Sequence, residues 1–202
     1  MRWFSVAART LGCTTVAVIA LALTIAPARA GGLSNEQLAR LKAGDALVSV
    51  DEDTGAADGH IEAAIEIPAS PHHLWLVMTD CARAPKFVAG LKSCRVIEHG
   101  PNDAWDIREH RSQWMSMMPE TVSVFRSDYV PDKEIRFQRV SGTLKFLKGS
   151  WTLQSMNGGA RTRLLYSVRI GVAAPVPGFM IRSALESDVP KLLKALRAEA
   201  VR

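Results

Sequence analysis

The sequence predicts an α+β fold: a curved antiparallel sheet of about seven strands wrapped around a long C-terminal helix, with two short helices after the first strand. Three observations predict it. Strand-like runs follow one another from residue 60 to residue 172, joined by turns of hairpin length. The last 28 residues carry an apolar stripe at helical spacing. Seven strands also leave an apolar face that must be buried, and only that one long element remains to cover it.

Residues 1–30 read as a secretory signal. Arg2 and Arg9 precede the apolar run "CTTVAVIALALTIA", and "ARA" at 28–30 suits a signal peptidase, with cleavage after Ala30. The run falls short of the roughly 20 residues of a membrane span, so export to the periplasm is expected. Cleavage would leave 172 residues, and Lys plus Arg would fall from 25 to 22 against 20 acids. That near balance, with bases scattered along the chain, gives no nucleic-acid signature.

Residues 31–57 form an N-terminal extension. "SNEQLARLKAG" (34–44) is a short helix with Ser34 as cap, Gln37 completing a capping box and Gly44 ending it. An extended segment then leads into a Gly/Asp-rich loop. The main domain spans 58–202. "HIEAAIEIPAS" (60–70) alternates, with Ile61, Ala63, Ile65 and Ile67 on one face and Glu62 and Glu66 on a wet one. Ser70 caps a helix that has Pro71 first and Leu74, Val77 and Met78 on its apolar face. Asp80 is placed to cap a second short helix containing Phe87. Strands are expected at 93–99, 103–115, 121–130, 134–142, 147–156 and 161–172. In the terminal helix Ile181, Leu185, Val189, Leu192 and Leu196 make the stripe, and Pro190 should bend or split it.

In an exported chain Cys81 and Cys94 are the two cysteines left after cleavage. A disulfide is favoured; two buried thiols or a metal pair are the alternatives, and thirteen positions is not a zinc-knuckle spacing.

"ASPHHLWLVMTDCARAPKFVAGLKSCRVIEHG" resembles the opening of START-like, helix-grip proteins, and "GTLKFLKGSWTLQSMNGGARTRLLYSVRI" is similar to a later hairpin of their polyketide cyclase/dehydrase and coenzyme Q-binding branch. Trp75, Asp80, Phe87, Cys94, Gly149, Trp151, Gly159 and Tyr166 carry the likeness, which spans about 58–200; Ala89 stands where the family pattern has proline. The resemblance implies an apolar ligand cavity, without implying one chemistry.

The expected lining is Trp75, Phe87, Trp105, Trp114, Trp151, Tyr166, Phe179 and Leu185. Each aromatic pairs a broad apolar face with, in Trp and Tyr, one polar group. "QWMSMMPE" (113–120) has two readings: a tip folded onto the core with Met filling gaps, or an apolar lip making transient membrane contact, with Lys145 and Lys148 nearby. In "DIREHRSQW" the first register points Glu109 and Arg111 inward with Trp105. The shifted register points His110 inward. No catalytic constellation, metal spacing or cofactor motif is found, and nothing signals an oligomeric state. The leading expectation is therefore an exported carrier of a small hydrophobic ligand (lipid, isoprenoid quinone or polyketide-like). A cyclase/dehydratase-like enzyme is the rival, and a structural module with a filled interior is the third reading.

Overall fold

The structure, a computed structural model, describes residues 33–52, 58–113, 120–172 and 178–202. The expected signal peptide, the loop over 53–57, and Trp114 with Met115, Met117 and Met118 lie outside the described residues. Among those described, eight strands form one antiparallel sheet: β1 Leu47–Glu52, β2 Asp58–Ile67, β3 Leu91–His99, β4 Trp105–Ser112, β5 Thr121–Val130, β6 Glu134–Gly142, β7 Leu144–Met156 and β8 Arg161–Val172. The helices are α1 Asn35–Ala43, α2 Pro71–Thr79, α3 Ala84–Phe87 and α4 Gly178–Ala200.

The spatial order is β1-β2-β8-β7-β6-β5-β4-β3. α2 and α3 carry the chain from β2 to the far edge. A six-strand meander then returns it until β8 pairs with β2, from Asp58↔Gly171 to Ile67↔Thr162. The strand beyond the expected seven is β1. Expected only as an extended lead-in, it pairs with β2 from Leu47↔Ala64 to Glu52↔Gly59 and covers backbone groups that β2 would otherwise leave open. At the opposite edge, β3 carries two register shifts against β4, a feature that discourages edge-to-edge pairing.

Local chemistry explains the helix ends. Ser34 and Gln37 form the reciprocal capping box, and Gly44 closes α1 at φ 92, where a side chain would be strained. The Ser70 hydroxyl accepts from the His73 amide at the start of α2. Asp80 does not cap α3. Its carboxylate accepts from the Ala82 amide in the intervening turn, and α3 is a single turn that follows Arg83 with no side-chain cap. Pro190 lies inside α4, which continues past it to Ala200 and is not split.

The core forms where α4 meets the β1–β2 side. Ile61, Ile65, Ile67 and Leu164 from the sheet meet Leu74 and Val77 of α2 and Val189, Leu193, Leu196 and Ala200 of α4. The helical stripe is thus wider than the sequence pattern singled out, with Leu193 fully buried. Glu66 also departs from expectation: it is 2% exposed rather than wet. Arg163, its cross-strand partner on β8, donates to it at 2.9 Å, and Arg161 lies 3.6 Å away, so neighbouring cations shield it.

The Cys81–Cys94 disulfide is present, with the Cα atoms 5.3 Å apart. It ties the turn between α2 and α3 to edge strand β3. Lys86 of α3 reinforces this corner by donating to Glu199 of α4 at 3.0 Å.

Candidate functional site

α4 makes its main contacts with β1, β2, α2 and α3. One cylinder lying toward one side of a broad concave sheet leaves the inner faces of β4–β7 incompletely covered. A cavity of about 320 Å³, partly open to solvent, lies there, at the lower end of the roughly 300–1,000 Å³ usual for small-molecule sites.

Three walls enclose it. The sheet contributes Phe125, Phe137, Leu147, Trp151, Tyr166, Val168 and Ile170; α4 contributes Leu185, Val189, Leu192 and Leu196; the disulfide-pinned corner contributes Ala84, Phe87, Val88 and Ala89. The rings interlock. Trp151 stacks on Tyr166 with centroids 3.7 Å apart, Tyr166 lies 6.3 Å from Phe137, Phe137 meets Phe125 edge-on, and Phe125 meets His110 edge-on at 4.8 Å. Gly149 permits this floor, because a Cβ there would fall 2.4 Å from the Ser167 carbonyl oxygen and 2.6 Å from Phe137.

Strands β4 and β5 make the fourth, polar flank: Arg108, His110 and Ser112 alternate on β4, and Ser123, Ser127 and Tyr129 on β5. This is the shifted register. Glu109 and Arg111 do not reach the cavity. They face outward in a network with Arg95 and Glu120, Arg111 donating to Glu109 at 2.9 Å and to Glu120 at 3.2 Å. Trp105 shares that outer face, where the Arg126 guanidinium sits 4.1 Å above its ring.

The inner charges are paired. Arg108, 6% exposed, donates to both Asp106 carboxylate oxygens, to the Tyr129 hydroxyl at 2.6 Å and to the Thr79 carbonyl at 3.3 Å. Tyr129 in turn donates to Asp106 at 2.7 Å. Burial opposes the Arg108 charge, but the hydrogen bond with Asp106 and the electrostatics of Tyr129 and Asp106 outweigh it, so its pKa is raised. Burial raises both the Tyr129 and the Tyr166 phenols, and both stay protonated. Trp75 packs edge-on against Tyr129 at 5.5 Å. It therefore seats α2 on this cluster and stands outside the lining.

His110 is different. Burial first, then the Arg108 charge, lower its pKa to about 4 against the pull of Asp106, leaving a neutral ring. Its Nε2 is buried with no hydrogen-bond partner, and so is Ser123 Oγ. The two residues are directly opposite in the β4–β5 register.

Of the residues expected in the lining, the structure brings together Phe87, Trp151, Tyr166, Leu185 and His110. Phe179 lies on the first turn of α4 at 71% exposure, because six residues place it about 120° round the helix from Leu185. Sequence reasoning missed Phe125, Phe137 and Ser123. The alternation of Ser123, Phe125, Ser127 and Tyr129 along β5 was the available signal.

A model of the family described as polyketide cyclase/dehydrase and lipid transport matches residues 67–197. Among solved structures, an aromatase/cyclase, Zhui, from Streptomyces sp. R1128 is similar at 16% identity and TM-score 0.61, covering 72% of this chain and 94% of that one. A STAR-related lipid transfer protein from Xanthomonas axonopodis is similar at 15% identity and TM-score 0.63, covering 78% and 94%. The lipid transfer and protein localization domain of human StarD13 is similar at 11% identity and TM-score 0.63, covering 78% and 85%. At these identities the likeness is one of fold. No curated protein matches.

Proposed function

The chain belongs to the polyketide cyclase/dehydrase and lipid transport family, and from that premise we propose that it is an exported carrier that holds one small hydrophobic molecule between sheet and α4. The observation that carries the reading is the cavity of about 320 Å³ with its aromatic and aliphatic walls. Binding works by burial. Covering about 200 Å² of apolar ligand surface contributes about 5 kcal/mol before the costs of association. The pinned corner keeps one wall fixed, so the ligand meets a preformed surface. Lipids, isoprenoid quinones and polyketide-like compounds all have the required apolar body. The signal-like first 30 residues support export to the periplasm, and the run of apolar Trp114, Met115, Met117 and Met118 in the sequence supports transient membrane contact during loading. Among the described residues no helix is long and apolar enough to span a membrane.

The test is organic extraction of the purified protein followed by mass spectrometry. A recurrent apolar species at near one per chain is expected; repeated absence would count against a carrier. N-terminal sequencing of protein from a periplasmic extract tests export, with Gly31 expected first. The polar flank favours a second reading, a cyclase/dehydratase-like enzyme using His110 as a proton acceptor beside Arg108 and Tyr129. Turnover of a polyketone by the wild type, lost in His110→Phe, would favour it.

A further inference from the structure

Every charged group on the cavity wall has a partner. Arg108 is held by Asp106, Tyr129 and Thr79, and Asp188 of α4 by Lys191 at 3.2 Å. Two polar atoms are not so held, His110 Nε2 and Ser123 Oγ. Buried polar groups are overwhelmingly hydrogen-bonded in folded proteins, so a matched unpartnered pair in a ligand-sized space calls for a reason. Their placement supplies one. The residues face each other across adjacent strands, where directly opposed side chains stand about 5 Å apart. Both line the cavity, and Phe125 fixes the imidazole edge-on.

We infer that His110 and Ser123 together read a single uncharged oxygen, a carbonyl or a hydroxyl, on an otherwise apolar ligand. This rests on the carrier reading and narrows its ligand class. A carbonyl oxygen accepts from Ser123 Oγ and from His110 in its Nε2–H tautomer. A hydroxyl donates to His110 in the other tautomer and accepts from Ser123. A carboxylate is disfavoured, because the one cation among the described lining residues, Arg108, is already neutralised by Asp106, and a further anion would be buried without a counter-charge.

The experiment is calorimetric titration of the whole protein with four probes on one ring system: 2-methylnaphthalene, 2-naphthol, 2-acetonaphthone and 2-naphthoate. It is repeated with Ser123→Ala, which removes only the hydroxyl, and with His110→Phe. The expected result is that each variant loses about three- to tenfold in affinity for naphthol or acetonaphthone relative to its loss for the hydrocarbon, with naphthoate weakest throughout. The larger loss identifies alcohol or ketone. If Ser123→Ala shifts all probes equally, the pair does not read oxygen, although the cavity still binds. If naphthoate binds best, the neutral-ligand inference is overturned. If no probe binds, the carrier reading and this inference fall together.

Discussion

Acid should destabilise this protein through His110 in a calculable way. The ring has a pKa of about 4 when folded and 6.5 when exposed. Above pH 6.5 it is neutral in both states and costs nothing. Between 6.5 and 4 the unfolded chain takes up a proton that the folded chain refuses, so stability falls with each pH unit by about 1.4 kcal/mol. The loss reaches about 3 kcal/mol near pH 4 and levels off below it. Urea unfolding of the wild type and of His110→Phe from pH 8 to pH 4 measures it, because subtracting the two curves removes the carboxylates common to both. The wild type should lose stability faster than the variant by that amount. A flat difference curve, or a wild type that gains on acidification because Asp106 stabilises an imidazolium, would refute the burial argument.

Other consequences follow from particular contacts. Leu193→Ala should cost about 2–5 kcal/mol in denaturant unfolding, since that side chain is fully buried between α4 and the sheet. Gly149→Val should destabilise by several kcal/mol, because its Cβ would strike a backbone carbonyl as well as Phe137; thermal unfolding reads this out. Reducing Cys81–Cys94 should remove about 3 kcal/mol and raise hydrogen exchange first in α2, α3 and β3. Glu66→Ala, which strands Arg163 beside a buried void, should cost about 3–5 kcal/mol by urea unfolding.

The architecture was legible because its signals were strong. Strict alternation over 60–67, hairpin turns and a terminal amphipathic stripe specify a meander and one helix, and the two cysteines outside the signal-like segment are the pair that is bonded. The missing strand, β1, is six residues long and is recognisable mainly by its pairing with β2, which is a tertiary fact. The site was less legible for a sharper reason. β4 reads Trp-Asp-Ile-Arg-Glu-His-Arg-Ser, with both apolar residues on the outer face and only polar ones on the inner, so apolar alternation points the wrong way. Trp105 pulled the first register the wrong way; it is an aromatic satisfied on the outer face by a guanidinium. Arg108 is tolerated on the inner face because Asp106 on the same strand neutralises it and the Tyr129 hydroxyl on the next accepts a hydrogen bond from it. Glu66 repeats the lesson, since its two arginine partners lie about a hundred residues away in sequence.

The most direct test of the account is equilibrium binding of the neutral apolar fluorophore N-phenyl-1-naphthylamine to the wild type and to Leu147→Trp. Leu147 is a partly buried lining residue, and the larger ring would project into the open space. One saturable site per chain is expected in the wild type, and at least a tenfold loss of affinity in a variant whose unfolding midpoint is little changed. Equal binding to both proteins would contradict a ligand held between sheet and helix.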